Sequence, residues 1–203
     1  MSPLVIPDDL GNRLLQWEQQ SRHYSELPRP IIEGQSLYPA AVLMPLFVND
    51  DGWYLLYTRR TNRVGTHQGE VSFPGGAADD LDDGDLVQTA LREAWEEIGV
   101  RPADVTILGN LSDMNLISYF QVKPVIGMIP WPYDLTLSKD EVARAFWVPL
   151  DWLADPDNSY TQERQFDGKR YKIRFFQPYG GETIWGATAY MTWQLLQVLN
   201  SQD

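Results

Sequence analysis

The sequence predicts one α/β domain: a mixed β-sheet sandwiched between helices (α/β/α). Three observations point there. Apolar runs of strand length recur at 40–48, 53–58, 106–111 and 119–129, bounded by Gly, Pro, Asn and Asp. Amphipathic helical spacing marks 85–98 and 187–199. Strands and helices mix without a regular βα alternation, which favours a mixed sheet with helices on its faces. At 203 residues the chain is long enough for a proper core.

Leu10, Leu14, Leu15 and Trp17 follow Asp8-Asp9 at helical spacing and predict an N-terminal amphipathic helix over 8–21. A Pro-containing connector runs from Pro28 to Pro39. Ala40–Val48 and Trp53–Thr58 flank Asn49-Asp50-Asp51-Gly52, a hairpin turn. Val71–Phe73 is a short strand, and the segment from 59 to 72 that leads into it is polar. Thr106–Leu111 and Tyr119–Ile129 read as strands around a loop holding Asp113 and Asn115. Asp140–Phe146 reads as a short helix, and Val148–Leu153 begins another. Arg164–Phe166 and Tyr171–Phe176 pair about Asp167-Gly168, and Ala187–Leu199 is the last helix. The sequence has no internal repeat and no low-complexity segment.

Composition excludes several classes of function. The net charge of −12 argues against a surface for a nucleic-acid backbone. There is no cysteine, so disulfides, thiolate catalysis and Cys-ligated zinc are ruled out. His23 and His67 are too few for a His-rich metal site. The N-terminus has no basic region followed by a long apolar run, and no apolar stretch is long enough to span a membrane. A cytoplasmic protein without membrane partners is expected.

Chemistry concentrates in Arg92-Glu93-Ala94-Trp95-Glu96-Glu97-Ile98-Gly99-Val100. Glu93, Glu96 and Glu97 stand at i, i+3 and i+4, on one helix face. Val87, Leu91, Ala94, Trp95 and Ile98 are expected to bury on the other. Three anions on one face are unfavourable unless a hard divalent cation such as magnesium binds them. Such an ion commonly bridges carboxylates to substrate phosphates. A solvated acidic face is the other reading of the same pattern. Arg92 can brace a carboxylate, and Gly99 can end the helix in the left-handed conformation.

With Phe73-Pro74-Gly75-Gly76 upstream, this stretch resembles the box of the Nudix hydrolases, Gly-x5-Glu-x7-Arg-Glu-U-x-Glu-Glu-x-Gly-U, where U is a bulky aliphatic. Two features depart from the pattern. Sixteen positions separate Gly76 from Arg92 where the pattern has fourteen, and Ala94 is small for the first U. The box's first Glu has no equivalent: counting from Gly76 reaches Asp82, and counting back from Arg92 reaches Gly84. The Asp-rich insert (Asp79, Asp80, Asp82, Asp83, Asp85) is read as a loop with a helix N-cap rather than a substitute metal ligand.

The stretch from Leu56 to Gly76 resembles the signature of the coenzyme A diphosphatase-like branch, Leu-Leu-Thr-x-Arg-(Ser/Ala)-x3-Arg-x3-Gly-x3-Phe-Pro-Gly-Gly. Leu56, Thr58, Arg60, Gly69 and Phe73 through Gly76 match, whereas Tyr57 and Thr61 differ. Gly65 stands at the second Arg, and Arg63 is offset by two. Two further stretches are similar to segments of that branch: Asp140-Glu141-Val142 through Val148-Pro149-Leu150, and Ile184-Trp185-Gly186-Ala187-Thr188-Ala189. The resemblance covers about residues 35–200. It divides the chain into 1–34, an N-terminal helix and connector, and 35–203, a Nudix hydrolase domain.

The resemblance implies the Nudix fold and metal-dependent hydrolysis of the diphosphate bond of coenzyme A or its acyl derivatives. The products would be phosphopantetheine and adenosine 3′,5′-bisphosphate. Glu93, Glu96 and Glu97 are the expected ligands of Mg2+ or Mn2+. The general base is a box glutamate (Glu93 or Glu97) or the distant Glu141, whose other reading is a helix N-terminal charge. Arg60, Arg63, Phe73, Gly75 and Gly76 are the expected substrate-binding residues. Arg59 either contacts phosphate or balances the acidic loop, and His67 is read as a structural hydrogen-bonding group. The partner is a small nucleotide substrate, with a homodimer implied by resemblance alone. Two alternatives stand beside this reading. One is a Nudix hydrolase of another nucleoside diphosphate derivative (ADP-ribose, NADH) or of a nucleoside triphosphate. The other is a Nudix-fold binding module without hydrolysis, against which the intact Arg92-Glu93 and Glu96-Glu97 pairs argue.

Overall fold

The computed structural model describes residues 4–20, 36–62, 69–116, 118–166 and 168–201. Strand β1 (Tyr38–Asn49) is its spine. It turns through Asp50 and Asp51 into β2 (Gly52–Arg60), pairing Leu46 with Leu55 and Asn49 with Gly52. Its other edge runs parallel to β7 (Phe120–Met128), from Tyr38 beside Phe120 to Leu46 beside Met128. Beyond β7 lie β5 (Thr106–Asn110) and the two-residue β6 (Met114–Asn115), both antiparallel to it. One parallel pairing among antiparallel ones makes the sheet mixed, as expected.

The consequential feature is a fork. Past Leu55 the two arms of the β1–β2 hairpin part, and residues 71–77 fill the gap. Strand β3 (Val71–Ser72) pairs with Thr58 and Arg59 of β2, and β4 (Gly75–Ala77) pairs with Ala40–Val42 of β1. Gly75 permits this wedge: a Cβ there would lie 2.4 Å from the Ala41 carbonyl oxygen. The Gly75-Gly76 bend is thus fixed at the centre of the sheet.

The other edge of β2 carries β8 (Val142–Pro149), with Leu56 opposite Trp147 and Thr58 opposite Ala145. This corrects the expectation of a helix over Asp140–Phe146. Val142 and Phe146 are four apart, a spacing that suits helix and strand alike. Pairing with β2 resolves it to a strand: Phe146 and Val148 pack in the cluster around Tyr57, while a register shift between Arg59 and Arg60 lets Val142 pack on the other side with Phe47, Leu56 and Ile98. The short helix α3 (Leu150–Ala154) follows.

Helix α2 (Leu86–Ile98) covers one face of the sheet, packing Ala90 and Ala94 on Ala41, Leu43 and Val125. Helices α1 (Leu10–Gln20) and α4 (Gly186–Asn200) lie in the larger cluster on the other face. Leu10 and Leu14 of α1 are buried there, and Trp17 Nε1 donates to Gln194 Oε1 of α4 at 3.2 Å. The N-terminal helix therefore packs into the same core as the sheet. Strands β9 (Ser159–Phe166) and β10 (Lys169–Phe176) form a separate hairpin, longer than the sequence suggested. Tyr57 lies fully buried between layers, and its hydroxyl meets Thr192 Oγ1 at 3.0 Å. Among the described residues, no helix is long and apolar enough to cross a membrane.

Candidate active site

Helix α2 starts at Asp85, whose side chain accepts from Val87 N, and ends at Gly99, which takes φ +75°. Both ends are as the sequence predicts. Its burial is not. Trp95 is 58% exposed, while Thr89 and Glu97 are buried. The inward stripe is Thr89, Ala90, Leu91, Ala94, Glu97 and Ile98. Glu97 thus lies within the packed face, where the sequence reading had placed it on the open one.

Glu97 is held under the Gly75 bend and beside β2. Gly75 N donates to its Oε2 at 3.3 Å, and Arg60 Nη1 lies 3.5 Å from its Oε1. Burial is the main cause of a carboxyl pKa pushed up to about 8. Arg60 and the Gly75 N–H oppose that shift, while Glu93 and Glu141 add to it. Glu93, one turn earlier, is also raised, chiefly by burial, with Glu96 and Glu141 adding repulsion and Arg92 opposing. A Cβ on Gly76 would fall 2.6 Å from Glu93 Oε2, so the second glycine is what lets this carboxylate approach the bend.

Glu141 reaches this neighbourhood through backbone contacts. Ser138 N bonds the Glu97 carbonyl at 2.9 Å, Glu141 N bonds the Ser138 carbonyl, and Thr61 N bonds the Glu141 carbonyl at 2.8 Å. Glu141 is an exposed turn residue preceding β8, so its reading as a helix N-terminal charge is withdrawn.

Asp82 is the main correction to the reading of the insert. It is buried and grips Arg92 with two oxygens, Oδ1 to Nε at 2.9 Å and Oδ2 to Nη2 at 3.0 Å. Thr89 Oγ1 and Asp79 N donate to the same Oδ2, each at 2.8 Å. The Arg92 hydrogen bond is the first cause that holds this carboxyl well below the usual range. Asp85 caps α2, as the loop-and-cap reading expects, and Asp79 caps a short 3-10 turn over Asp80–Asp82. Asp82 does more: it braces Arg92 in the place reached by counting from Gly76. Asp83 and Gly84, both at positive φ, form the two-residue excursion that lengthens the box.

Arg92 Nη1 also holds Glu93 Oε1 at 2.7 Å and Glu96 Oε2 at 3.4 Å. Among the described residues, no three acidic or histidine side chains converge closely enough to hold an ion in this arrangement. Glu93 and Glu96 are turned to Arg92, and Glu97 to Arg60. The donor chemistry nevertheless fits a hard divalent cation. All donors are oxygens, two carboxyls carry raised pKa values, and the Gly76 bend leaves room at Glu93. Arg92 engages one oxygen each of Glu93 and Glu96, so the second oxygen of each carboxylate could serve a cation while Arg92 holds the first.

A cleft of about 550 Å³ opens beside the bend. Arg60, Phe73, Gly75 and Gly76, four of the sequence-predicted site residues, line it. Phe73 is buried in the wall and stacks on Tyr57, centroids 4.8 Å apart. Arg60 Nε is buried and has no hydrogen-bond partner among the described residues. Arg63 and His67 lie outside the described residues. Arg59 points to the opposite face from Arg60, where Glu182 Oε2 holds it at 2.9 Å and Glu182 Oε1 meets Arg144 at 3.4 Å. Sequence reasoning missed this triad, because strand alternation alone could not name Glu182. It also missed the walls from β10 and the start of α4, which include Ile173, Trp185 and Met191.

The family model described as NUDIX domain matches residues 37–169. The curated protein called uncharacterized Nudix hydrolase NudL in Pectobacterium atrosepticum is 35% identical, over 86% of this chain and 90% of its own length. Its namesake in Citrobacter koseri is 37% identical, over 81% of this chain and 85% of its own. The chain belongs to the Nudix family of hydrolases. Among solved structures, a Nudix hydrolase from M. smegmatis, RenU, is similar with TM-score 0.49 and 22% identity, covering 60% of this chain and 76% of its own. An Ap4A hydrolase of C. elegans is similar with TM-score 0.47 and 23% identity, covering 55% and 80%.

Proposed function

We propose that this Nudix hydrolase cleaves the diphosphate bond of coenzyme A or its acyl derivatives in the presence of Mg2+ or Mn2+, giving phosphopantetheine and adenosine 3′,5′-bisphosphate. The observation that carries the reading is Arg60. It borders the cleft and reaches Glu97, and its Nε has no partner among the described residues. It therefore stands where a phosphate would lie between the cleft and the acidic helix. A guanidinium is suited to that contact by its planar fork of donors.

Glu93, Glu96 and Glu97 would hold the cation, which when bound polarises a phosphoryl oxygen and acidifies water. Arg92, braced by Asp82, keeps Glu93 and Glu96 near the bend. Glu141 is exposed and close enough to raise the pKa of both Glu93 and Glu97, which suits it to accept a proton from water. Gly75 and Gly76 keep side chains out of the space between cleft and helix. The apolar walls of the cleft suit the uncharged part of a nucleotide conjugate.

The test is a panel of pyrophosphate substrates with magnesium or manganese and identification of both products. Coenzyme A, acyl coenzyme A, ADP-ribose, NADH and nucleoside triphosphates are compared at equal concentration. Preferred turnover of a coenzyme A to the two named products supports the proposal. Preferred turnover of ADP-ribose or NADH replaces the substrate and leaves the reaction class. Binding without any turnover replaces both.

A further inference from the structure

We propose that Trp185 is the platform on which the adenine base of the substrate stacks. This rests on the reading of the cleft as a nucleotide site and adds the residue that selects the base.

Three rings form a parallel ladder. Tyr160 and Phe175 are stacked with centroids 5.5 Å apart and planes at 12°. Phe175 and Trp185 follow at 5.9 Å and 10°. The first two are register partners across β9 and β10. Phe175 and Trp185 are joined by a backbone bridge. Strand pairing therefore sets the indole plane, and the indole need not be buried to be ordered. Trp185 is 39% exposed and borders the cleft. One face of the indole covers Phe175, and the exposed part of the side chain borders the cleft, where a fourth ring could stack.

A flat, pre-ordered aromatic face suits a planar base better than an aliphatic chain, because stacking gains from parallel π-surfaces and needs little further ordering. The cleft also presents Asn115 and Ser118, an amide and a hydroxyl able to meet the polar edge of a base. At about 550 Å³ it falls within the range of small-molecule sites. Arg60 and Gly75-Gly76 border the same cleft, so a single ligand can engage both the stacking face and the phosphate end.

The experiment uses the full chain, with binding measured by calorimetry in EDTA so that no turnover is involved. The probes are AMP and ribose 5-phosphate, which differ only by the base. Wild type is expected to bind AMP at least about tenfold more tightly, the scale of one stacked base. Trp185→Leu should remove most of that difference and leave ribose 5-phosphate within about twofold of wild type. Trp185→Phe should restore much of it. Trp185→Gln, which has no ring, should behave like the Leu variant and serves if that variant does not fold, as judged by circular dichroism. AMP affinity unchanged in Trp185→Leu or Trp185→Gln overturns the proposal, as does an equal loss for both probes. Failure of the hydrolase reading looks different: wild type then turns over no diphosphate, while AMP binding and its dependence on Trp185 persist.

Discussion

Arg60 Nη1 lies 3.5 Å from Glu97 Oε1, joining the floor of the cleft to the most deeply buried carboxylate of α2. The pair is held between β2 and the inward face of α2. Substrate phosphate and a divalent cation would each compete for one half of it. Arg60→Ala is therefore expected to weaken use of coenzyme A more than of ADP-ribose, because only coenzyme A offers an additional 3′-phosphate. Loss of a charge-assisted contact costs about 1.5–3 kcal/mol. The ratio of kcat/KM values for the two substrates measures this, and an equal loss for both would show that Arg60 does not discriminate.

Glu97→Gln should abolish metal-dependent turnover and leave the fold intact. The amide keeps the shape and can still accept from Gly75 N, but it cannot neutralise a cation. Circular dichroism and a substrate assay at saturating magnesium check this. Turnover equal to wild type would remove α2 from the metal site.

The same residue links stability to pH. Its folded pKa of about 8 lies above the ordinary glutamate value of 4.5. A raised pKa means that the folded state holds the proton more tightly than the unfolded state. The resulting stability is complete below about 4.5 and is lost as pH rises through 8. In EDTA, the Tm of wild type should fall across that window, and Glu97→Gln should flatten the fall. Magnesium should raise the wild-type Tm most at the alkaline end. An identical pH profile for both proteins would contradict the linkage.

The two glycines of the bend should fail in different ways. Gly75→Ala places a methyl 2.4 Å from the Ala41 carbonyl oxygen, in rigid backbone, and should lower stability by about 1–3 kcal/mol. Gly76→Ala meets the movable end of Glu93 at 2.6 Å. It should fold near-normally but need much more magnesium, because Glu93 is pushed off the bend. Chemical denaturation and magnesium titration separate the two outcomes.

Asp82→Asn should destabilise by about 2–3 kcal/mol, since it removes the charge and one of the two oxygens that accept from Arg92 and sets an NH2 among the donors of Arg92, Thr89 and Asp79. Asp83→Asn should be near neutral, because the residue is exposed at φ +50°, which Asn tolerates. Asp83 is exposed and lies outside the buried Asp82–Arg92 pairing, so the magnesium concentration at half-maximal rate should stay nearly constant in Asp83→Asn. A large rise there would make the insert part of the metal site.

The sequence by itself determined the elements whose causes are local. Helix α2 with its Asp85 and Gly99 caps, the β1–β2 hairpin and the grouping of Glu93, Glu96 and Glu97 follow from spacing within a few residues. The family, too, was legible, because the box and the upstream signature are contiguous motifs. Tertiary structure decided what depends on pairing across the chain. Val142 and Phe146 fit helix and strand equally until β2 took β8 as a partner. Trp95 and Glu97 are both apt for either face of α2, and only docking on Ala41 and Leu43 turned Glu97 inward. Asp82 counted as one aspartate among five until the fold brought Arg92 against it. Glu182 had no local signal, because Arg59 and Arg144 lie far away along the chain, and Trp185 stood out only as part of a family-like stretch, with no sign of the Phe175 ring it stacks on. Burial, charge pairing and ring stacking act through space, so the chain had to fold before they could assign roles.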